Sequence, residues 1–414
     1  MIPVEQARET ILDSVRKISI AEVPLLEAEG RVLAQDVVSE IDINPFDNSA
    51  MDGFAMKHSD VATASETAPV SLRIVAHIGA GYHYDGQVQH GQAVRIMTGA
   101  PLPAGCDCVE KIENVRVSDK GTVGDSVILS RPVAEDRNIR HAGEEAKAGG
   151  VLVTAGTVIK PATIGLFASA GLTTVPVYKR PKVGVFSLGS ELTTQGTPLE
   201  TGHLYDSNSF ELSAQAAEAG CEAMRYGTVP DDEKLIEEML TKAIDECDFV
   251  VTSGGASAGD YDYITQIASK LGTVSFKYVN MRPGKSQTFA VINNTPFMGL
   301  AGNPAAAAVG FEMLVRPALL KMQGYTNLIR PMQKASLVGN CTKRDPRRNY
   351  LRGTITADGN GGFSATPAKK QSSALYGALS NGNCLIIIPE GVEFVADGAR
   401  VDCVRIDVPE GTAL

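Results

Sequence analysis

The chain has 414 residues, of which 43% are hydrophobic and 21% charged, as is ordinary for a soluble globular protein of several domains. Its formal net charge of −10 argues against a nucleic-acid partner but is compatible with a local basic pocket. No apolar run approaches membrane-spanning length and the amino terminus lacks a signal-peptide pattern, so we expect no membrane partner and a cytoplasmic location.

The seven cysteines are scattered, without a C-x-x-C pair, and predict neither a disulfide framework nor a zinc site. The loose spacing of His77, His83 and His90 favours solvated surface residues over metal ligands. Every histidine lies at or before His203, and no Ser-His-Asp or Cys-His pattern is present. We therefore do not expect nucleophilic acyl chemistry.

The first part of the chain combines a helix with many short strand-like runs. Apolar residues at helical spacing predict a packing helix from Pro3 to Ile18. Residues 44–55 are polar, and they form either an ordinary surface loop or a segment that is pinned to a core and presents Asp47 and Asp52. Runs separated by Gly, Pro and Asp over residues 70–133 predict a small β-rich domain.

From Pro181 the pattern changes to strands that alternate with helices. Apolar runs predict strands at 182–188, 224–229, 249–251, 274–279 and 297–300, with helices between them. This alternation predicts a doubly wound parallel sheet over residues 177–325. Beyond about Gly324 short strands return and predict a final all-β domain.

Residues 248–263 run from a buried strand into a Gly- and Ser-rich turn, where open α/β sheets bind their ligands. The turn offers glycines, hydroxyls and carboxylates at Gly254, Gly255, Ser253, Ser257, Asp260 and Asp262. Because bare carboxylates would repel an anion, we expect an anionic ligand held together with a divalent metal. A Gly-rich connection without a ligand is the alternative.

Several loops of the predicted α/β domain end in acids, at Glu191, Asp206, Asp231, Asp232, Asp260 and Asp262. Such loops share one edge of a parallel sheet, so we expect the acids to converge. One or two carboxylates plus ligand phosphates would suffice for a Mg²⁺ site. Helix capping is the competing explanation for Asp231 and Asp232.

Cations gather in two later segments. Arg282 and Lys285 flank a Pro-Gly turn that suits an oxyanion, and an exposed basic turn without a ligand is the alternative. The Gly-Lys-Ser at the end of this segment is not a Walker A motif, because the required upstream glycine would fall at Val279. Gly302-Asn303-Pro304 opens a helix whose free amides favour an anion. Guanidiniums that can grip an oxyanion follow at Arg344, Arg347, Arg348 and Arg352.

Together these segments resemble the molybdopterin molybdenumtransferase family, which includes the E domain of gephyrin. The most specific stretches are Phe-Asp-Asn-Ser-Ala-Met-Asp-Gly-Phe-Ala at 46–55, Arg-Ile-Met-Thr-Gly-Ala at 95–100, Thr-Ser-Gly-Gly at 252–255 and Gly-Asn-Pro at 302–304. Each is weak alone, but their order and spacing are specific. The resemblance covers essentially the whole chain.

The resemblance implies an α/β plus β subunit that is elongated and multidomain, and that forms a homodimer. It would have a central doubly wound α/β (molybdopterin-binding-like) domain, a small β-rich domain and a C-terminal β-barrel-like domain. We place a first domain at 1–40 plus 141–176, the inserted β-rich domain at 41–140, the α/β domain at 177–325 and the last domain at 326–414. Sites in the family lie in a cleft between the α/β domain of one subunit and domains of the other.

The resemblance also implies a Mg²⁺-dependent enzyme that binds adenylyl-molybdopterin and molybdate, releases AMP and leaves molybdenum on the dithiolene. Carried over residue by residue, the catalytic set is Asp52, Thr98, Glu191, Asp231 and Asp262, of which the last three surround the metal. The binding set is Ser253, Gly254, Gly255, Ser257, Arg282, Lys285, Gly302, Asn303, Pro304, Arg347 and Ser373.

The chain departs from the family pattern in four places. Glu145 stands where Asp is common, Leu188 replaces a usual Thr, and Ala301 replaces a usual Pro. Tyr278 occupies the place of a usual lysine, and Lys277 lies one step earlier. Only this last departure puts a ligand, Lys277, in question.

Two other functions fit parts of the sequence. The molybdopterin adenylyltransferase of the preceding step, itself a candidate partner, resembles residues 177–325 but would not need Asp52, Thr98 or the last domain. A non-catalytic pterin-binding or scaffolding homologue is opposed by the intact acids. Tungstate in place of molybdate is left open, because the two oxyanions share size, shape and charge.

Overall fold

The computed structural model describes residues 1–255, 263–359 and 361–412. They form two compact units. The first, here called the β unit, comprises Pro24–Glu29 and Gln35–Val175. The second, the α/β unit, is made up of Met1–Val23, Gly30–Ala34 and Pro176–Leu414. Within the described residues, no helix is both long enough and apolar enough to cross a membrane.

The β unit is built on a six-stranded sheet, as its alternating short apolar runs predict. In spatial order the strands are Cys108–Lys111, Gly53–Met56, Gln92–Ile96, Val70–Ile78, Ser126–Leu129 and Arg116–Val117. Two short antiparallel pairs are Asn48–Ser49 with Ile139–Arg140 and Val37–Val38 with Val151–Val153. The helical segments are Leu25–Glu27, His58–Val61, Ile112–Asn114 and Pro161–Ser169.

Strand Gly53–Met56 is buried on both faces, with Phe54 packed on one side of the sheet and Ala55 on the other. A Cβ on Gly53 would lie 1.9 Å from the carbonyl oxygen of Glu110 in the neighbouring strand. Only glycine lets the chain enter the sheet at this point. This entry fixes the loop that carries Asp52, directly before the strand.

The central sheet of the α/β unit has the strand order Glu222–Val229, Lys182–Leu188, Phe249–Ser253, Thr295–Leu300, Ser286–Ile292 and Thr273–Tyr278. The first four strands are parallel. The last two pair antiparallel, which corrects the all-parallel sheet predicted from the sequence. Strand Ser286–Ile292 was missed; it joins Thr295–Leu300 through Asn293 and Asn294, both at positive φ, which is a hairpin signal.

Helices cover both faces of this sheet, which confirms the doubly wound architecture. They are Val4–Ser14, Asn208–Glu218, Glu233–Glu246, Tyr263–Leu271, and the continuous run of Pro304–Gly310, Phe311–Val315 and Arg316–Met322. Val4, Ile11 and Leu212 belong to the core on one face, whereas Ile236 and Ile264 belong to the core on the other. The first helix ends at Ser14, before the predicted end at Ile18.

The last strands close into a five-stranded barrel, because Arg348–Ala357 pairs with both Phe363–Pro367 and Cys384–Ile388. Met332–Leu337 and Arg400–Arg405 complete it. The remaining elements are Ile20–Pro24, Thr174–Tyr178, Leu192–Thr193, Leu204–Tyr205, Met281–Arg282, Cys341–Thr342, Gly377–Ser380 and Phe394–Val395. Met281–Arg282 runs beside Arg348 and Asn349, which attaches this part of the α/β domain to the barrel.

Candidate active site

A cavity of about 2080 Å³ opens in the α/β unit, at the carboxyl ends of the four parallel strands and against the barrel. This is the edge at which doubly wound sheets bind ligands. The members of the predicted site set that line it are Glu191, Asp231, Ser253, Gly254, Gly255, Arg282, Lys285, Gly302, Asn303, Pro304, Arg347 and Ser373. Ser257, Asp260 and Asp262 lie outside the described residues, so their roles stay predictions.

Two loops on the acidic wall are tied together by Ser190 and Asp231. The Ser190 N–H donates to Oδ2 of Asp231 at 3.1 Å, and the Asp231 N–H donates to Oγ of Ser190 at 2.9 Å. Asp232 has a different role, because its Oδ1 accepts a hydrogen bond from the Leu235 N–H at 3.0 Å and so caps the following helix. Capping thus accounts for Asp232, whereas Asp231 and Glu191 are exposed on the cavity wall.

Asp206, one of the acids expected to converge here, is almost fully buried at 1% exposure. Its carboxylate accepts hydrogen bonds from Oγ of Ser187 at 2.8 Å and from the N–H of Ser209 at 3.1 Å, and the Ser209 hydroxyl also contacts it. Arg225 lies 3.9 Å away. Asp206 therefore positions the start of the helix Asn208–Glu218 and does not present a free carboxylate.

Asn208 is a junction of the site that the sequence reasoning missed. Its Nδ2 donates to Oγ of Ser253 and to the carbonyl of Gly302, both at 2.7 Å. Its Oδ1 accepts from the Tyr376 hydroxyl, also at 2.7 Å. An asparagine at a helix start looks like a cap in sequence, so no local signal identifies this role.

The glycine turn after strand Phe249–Ser253 has a backbone that side chains would not permit. Gly254 has φ +92°, and a Cβ there would lie 2.2 Å from the Leu188 carbonyl oxygen. Gly302 packs directly against Gly254. The Ser253 hydroxyl donates to the Ala301 carbonyl at 3.2 Å, so it braces this turn. At Gly254 and Gly302 the close backbone packing leaves no room for side chains.

The opposite wall is basic. The side chain of Arg282 is 54% exposed, with Nη1 3.3 Å from Oδ2 of Asp345. Lys285 places its Nζ 5.5 Å from the centroid of the Tyr278 ring. Arg344 is exposed and has no ion pair within 4 Å in the described part of the chain. These three cations can compensate an anionic ligand at close range.

Arg347 is less available than its sequence suggests. Its Nε donates to Oδ1 of Asp345 at 2.8 Å, Nη2 contacts Oδ2 of the same carboxylate, and Nη1 donates to the Met281 carbonyl at 3.2 Å. The hydrogen bonds from the Arg347 side chain to the Asp345 carboxylate hold the pKa of Asp345 well below its usual range. Arg347 thus links the barrel to the Arg-Pro-Gly segment, and its role in binding stays a prediction.

A loop of the barrel reaches the helix that starts at Pro304. The Ser373 carbonyl accepts from the Ala305 N–H at 2.9 Å, and so uses one of the amides that the sequence offered to an anion. The Asn303 carbonyl accepts from the N–H groups of Ala306 and Ala307, at 3.0 Å each, and begins the helix. The helix start and the barrel loop are therefore held as one surface of the cavity.

Asp52 and Thr98 lie in the β unit. Oδ1 of Asp52 accepts from the Thr98 N–H at 2.7 Å and from its hydroxyl at 2.8 Å. These two bonds, the backbone one first, lower the pKa of Asp52. Both residues are exposed, and their pairing joins two polar groups that are distant along the chain; their roles stay predictions.

A magnesium ion would need hard oxygen ligands, usually one or two carboxylates together with ligand phosphates. Glu191 and Asp231 fit this requirement, since both are exposed carboxylates on the wall of the cavity. Among the described residues no group of three or more His, Cys, Asp or Glu side chains is arranged to hold a metal. The third predicted ligand, Asp262, lies outside that part of the chain.

Three family models match successive parts of the chain. Residues 2–171 match the MoeA N-terminal region (domain I and II), and residues 184–321 match a probable molybdopterin binding domain. Residues 334–406 match the MoeA C-terminal region (domain IV). The matches follow one another in the order of the β unit, the central sheet and the barrel.

Similar proteins match over nearly the full length. The molybdopterin molybdenumtransferase of Haemophilus influenzae is 34% identical over 403 residues, which are 97% of this chain and 98% of the relative. That of Bacillus subtilis is 34% identical over 413 residues, 99% of this chain and 95% of the relative. A crystal structure of the molybdopterin biosynthesis MoeA protein of Pyrococcus horikoshii superposes with a TM-score of 0.85 at 30% identity, covering 99% of this chain and 100% of the other.

Proposed function

Because the chain belongs to the molybdopterin molybdenumtransferase family, enzymes that insert molybdenum in molybdenum-cofactor biosynthesis, we propose that it acts on adenylyl-molybdopterin and molybdate and releases AMP. Molybdenum is left on the pterin dithiolene. Dependence on Mg²⁺, a homodimeric assembly and a cytoplasmic location belong to the same proposal. So does the division of the chain into the four domains given above.

The observation that carries this proposal is the division of one cavity into an acidic and a basic wall. Glu191 and Asp231 line it on loops that follow parallel strands, while Arg282 and Lys285 line it on the segment that joins the barrel. An adenylylated pterin carries phosphates, and molybdate is a dianion, so both substrates need cations to reduce their mutual repulsion. A cavity of about 2080 Å³ is large enough for a pterin, a nucleotide and an oxyanion.

Mg²⁺ bound by Glu191 and Asp231, with Asp262 as the predicted third ligand, would polarise the phosphoanhydride. Arg282 and Lys285 would bind and orient the anionic groups, since they are the exposed cations beside the Pro-Gly turn. Asn208 would hold the turn at Ser253 and the start of the helix at Gly302 in place. No residue of the chain is required as a covalent nucleophile.

Asp52 and Thr98 form a prepared polar pair on the β unit. The threonine amide and hydroxyl fix the carboxylate in one orientation, which suits a group that orients a substrate. The family resemblance assigns such a pair to the cavity of the partner subunit. We propose that role for Asp52 and Thr98.

The direct test is AMP release by the purified protein from adenylyl-molybdopterin and Mg²⁺, with and without molybdate. Molybdate-dependent AMP release supports the transferase, and a tungstate arm measures the preference between the two oxyanions. Tight pterin binding without AMP release in any arm would instead support a binding or scaffolding protein. Failure to bind adenylyl-molybdopterin would overturn the proposal.

A further inference from the structure

Gln287 is a fully buried glutamine that contacts the Pro-Gly turn of the basic wall. It has 0% exposure and lies on the strand that follows this turn. Its Nε2 donates to the Gly284 carbonyl at 2.7 Å and to Sδ of Met281 at 3.3 Å. Both hydrogens of the amide are therefore used, and they hold the segment 281–284 at its two ends.

The oxygen of the same amide is not matched in this way. Oε1 of Gln287 is buried and accepts no hydrogen bond in the part of the chain that the structure describes. A buried polar atom without a partner lowers stability, and an apolar side chain of similar length would avoid that loss. What an apolar side chain could not supply is the pair of N–H donors that hold the turn.

Two glycines make room for this amide. Gly284 has φ +94°, and a Cβ there would lie 2.5 Å from Nε2 of Gln287. A Cβ on Gly310 would lie 2.9 Å from Oε1, at the point where the helix continues into the π-helical segment Phe311–Val315. The amide is thus packed between the turn and this helix, at positions where a larger residue would displace it.

The turn that Gln287 holds carries two exposed cations of the cavity wall. Arg282 and Lys285 flank Pro283 and Gly284, and all four residues line the large cavity. The Lys285 carbonyl accepts from the Val279 N–H at 3.0 Å. Because the two cationic side chains extend into solvent, the position of their backbone depends on such buried contacts.

We propose that Gln287 is a positioning residue for the reaction, and that its buried amide fixes the turn so that Arg282 and Lys285 present their charges to the anionic substrates. Gln287 is fully buried and is not part of the cavity lining, so it acts through the turn and not by touching substrate. Charges that are held in place before the substrate arrives need no reorganisation when it binds. The role of the two cations rests on the proposed function, whereas the fixing of the turn rests on the contacts of Gln287.

The test compares Gln287→Met with wild type in the full-length protein. Methionine has a similar length but no amide; the variant loses the unpartnered Oε1 and leaves the Gly284 carbonyl without its donor, so it should still fold. Calorimetric titration with molybdate alone should show a dissociation constant raised roughly 3- to 10-fold. Hydrogen exchange of the Val279 amide should become faster on the order of tenfold, because the Lys285 carbonyl that protects it is less well fixed. Unchanged molybdate binding or unchanged exchange would overturn the proposal.

Gln323→Met is the matched control. Gln323 is a second buried glutamine, 7% exposed, whose Nε2 donates to the Ala219 carbonyl at 2.8 Å and to Sγ of Cys221 at 3.5 Å. It does not line the large cavity. This variant loses the same kinds of contact and should keep wild-type molybdate binding and wild-type exchange at Val279. Equal weakening of molybdate binding in the two methionine variants would mean a general loosening of the fold, and would also overturn the proposal.

A double variant tests whether Gln287 acts through the turn. Residues that act through one another are not additive, so Gln287→Met should weaken molybdate binding by a smaller factor in a Lys285→Gln background than in wild type. The same factor in both backgrounds would contradict a positioning role. Gly310→Ala serves if Gln287→Met does not fold, because its methyl group displaces the amide from the helix side and should weaken molybdate binding in the same way.

The inference and the proposed function fail separately. Molybdate-dependent AMP release by wild type, together with unchanged molybdate binding by Gln287→Met, rejects the positioning role and leaves the function standing. Molybdate binding that depends on Gln287, in a protein that releases no AMP, rejects the function and leaves the positioning of an anion-binding turn standing. A wild-type protein that binds no molybdate would overturn the inference, because the turn would then have no such anion to hold.

Discussion

The hydroxyl of Tyr376 donates a hydrogen bond of 2.7 Å to Oδ1 of Asn208 and so joins the barrel to the central sheet at the edge of the cavity. Asn208 extends this hydrogen-bond network to the sheet, since its Nδ2 donates to Oγ of Ser253 and to the Gly302 carbonyl. One side chain thus holds two strand-end loops and one barrel loop. The connection therefore ties the loops at the carboxyl ends of the strands to the barrel loop.

Replacing Tyr376 by phenylalanine removes the connection and leaves Oδ1 of Asn208 without its donor. We expect Tyr376→Phe to lower the free energy of unfolding by about 1 kcal/mol. We also expect it to lower kcat for AMP release more than it raises KM, because the variant displaces the substrate-contacting groups of the cavity without removing any of them. Burial raises the pKa of Tyr376 to about 12, so its hydroxyl stays a donor and the effect should be constant from roughly pH 6 to pH 10. Urea unfolding and steady-state kinetics measure both effects.

Tyr226→Phe is the control for this variant. The Tyr226 hydroxyl donates to Oε2 of Glu246 at 2.7 Å, and neither residue lines the large cavity. This control should lose a comparable hydrogen bond and keep its kcat. Wild-type kcat and KM in Tyr376→Phe would show that the connection has no part in catalysis.

The neighbouring acids Asp231 and Asp232 should separate activity from stability. Asp232→Ala removes a helix cap and should cost about 1 kcal/mol of stability while AMP release persists. Asp231→Asn keeps an acceptor for the Ser190 N–H but removes a charge from the cavity wall, so AMP release should fall at least roughly tenfold at near wild-type stability. Kinetics and urea unfolding of both variants provide the comparison. Wild-type AMP release by Asp231→Asn would contradict a catalytic role for the Asp231 carboxylate.

Lys285 and Lys277 form a second matched pair. Lys285 lines the cavity, whereas Lys277 is exposed on the strand Thr273–Tyr278 and is not part of the lining. We expect Lys285→Gln to raise KM for molybdate on the order of tenfold, because a compensating cation is lost, and Lys277→Gln to leave it unchanged. A larger effect of Lys277→Gln than of Lys285→Gln would mean that Lys277, and not Lys285, contacts the anionic substrate.

Glu211 should make the stability of the protein depend on pH. Burial raises its pKa to about 7, and its Oε2 has no hydrogen-bond partner in the described part of the chain. Its ordinary value is 4.5, so folding favours the protonated acid; that stability is fully present below about pH 4.5 and is lost as the pH rises through about 7. Glu211→Gln should therefore gain up to roughly 3 kcal/mol over wild type at pH 8, and little at pH 4.5.

Urea unfolding at the two pH values measures this difference. Glu238→Gln is the control, because Glu238 is largely exposed and its one ion pair within the described residues is with Lys234 at 3.8 Å. Its stability relative to wild type should not change with pH. A gain for Glu211→Gln that is equal at pH 4.5 and pH 8 would mean that the carboxyl does not titrate as described.

Local patterns predicted much of the fold. The strand Lys182–Leu188 was predicted with the bounds that it has, because an uninterrupted apolar run is a local property of the chain. The strand Ser286–Ile292 was missed because Gln287 and Thr288 look like loop residues in sequence. Both are buried, and Thr288 shares a hydrogen bond of 2.8 Å with Thr265. That partner is distant in sequence and could not be anticipated from it.

The site was predictable in its residue types and less so in their pairing. Sequence identified the charges around Arg282 and Arg347, but only the structure shows that Asp345 occupies the Arg347 guanidinium. Asn208 matters through partners on other elements, which a linear pattern does not record. Charge can be counted from a sequence, whereas its compensation depends on packing.

The most direct test of the central claim is a single-turnover measurement of AMP released from adenylyl-molybdopterin by wild type and by Asp231→Asn, each with Mg²⁺ and with or without molybdate. We expect rapid AMP release only by wild type and only when molybdate is present. AMP release that ignores molybdate, or that survives unchanged in Asp231→Asn, would contradict the assignment of this cavity as the site of molybdenum transfer.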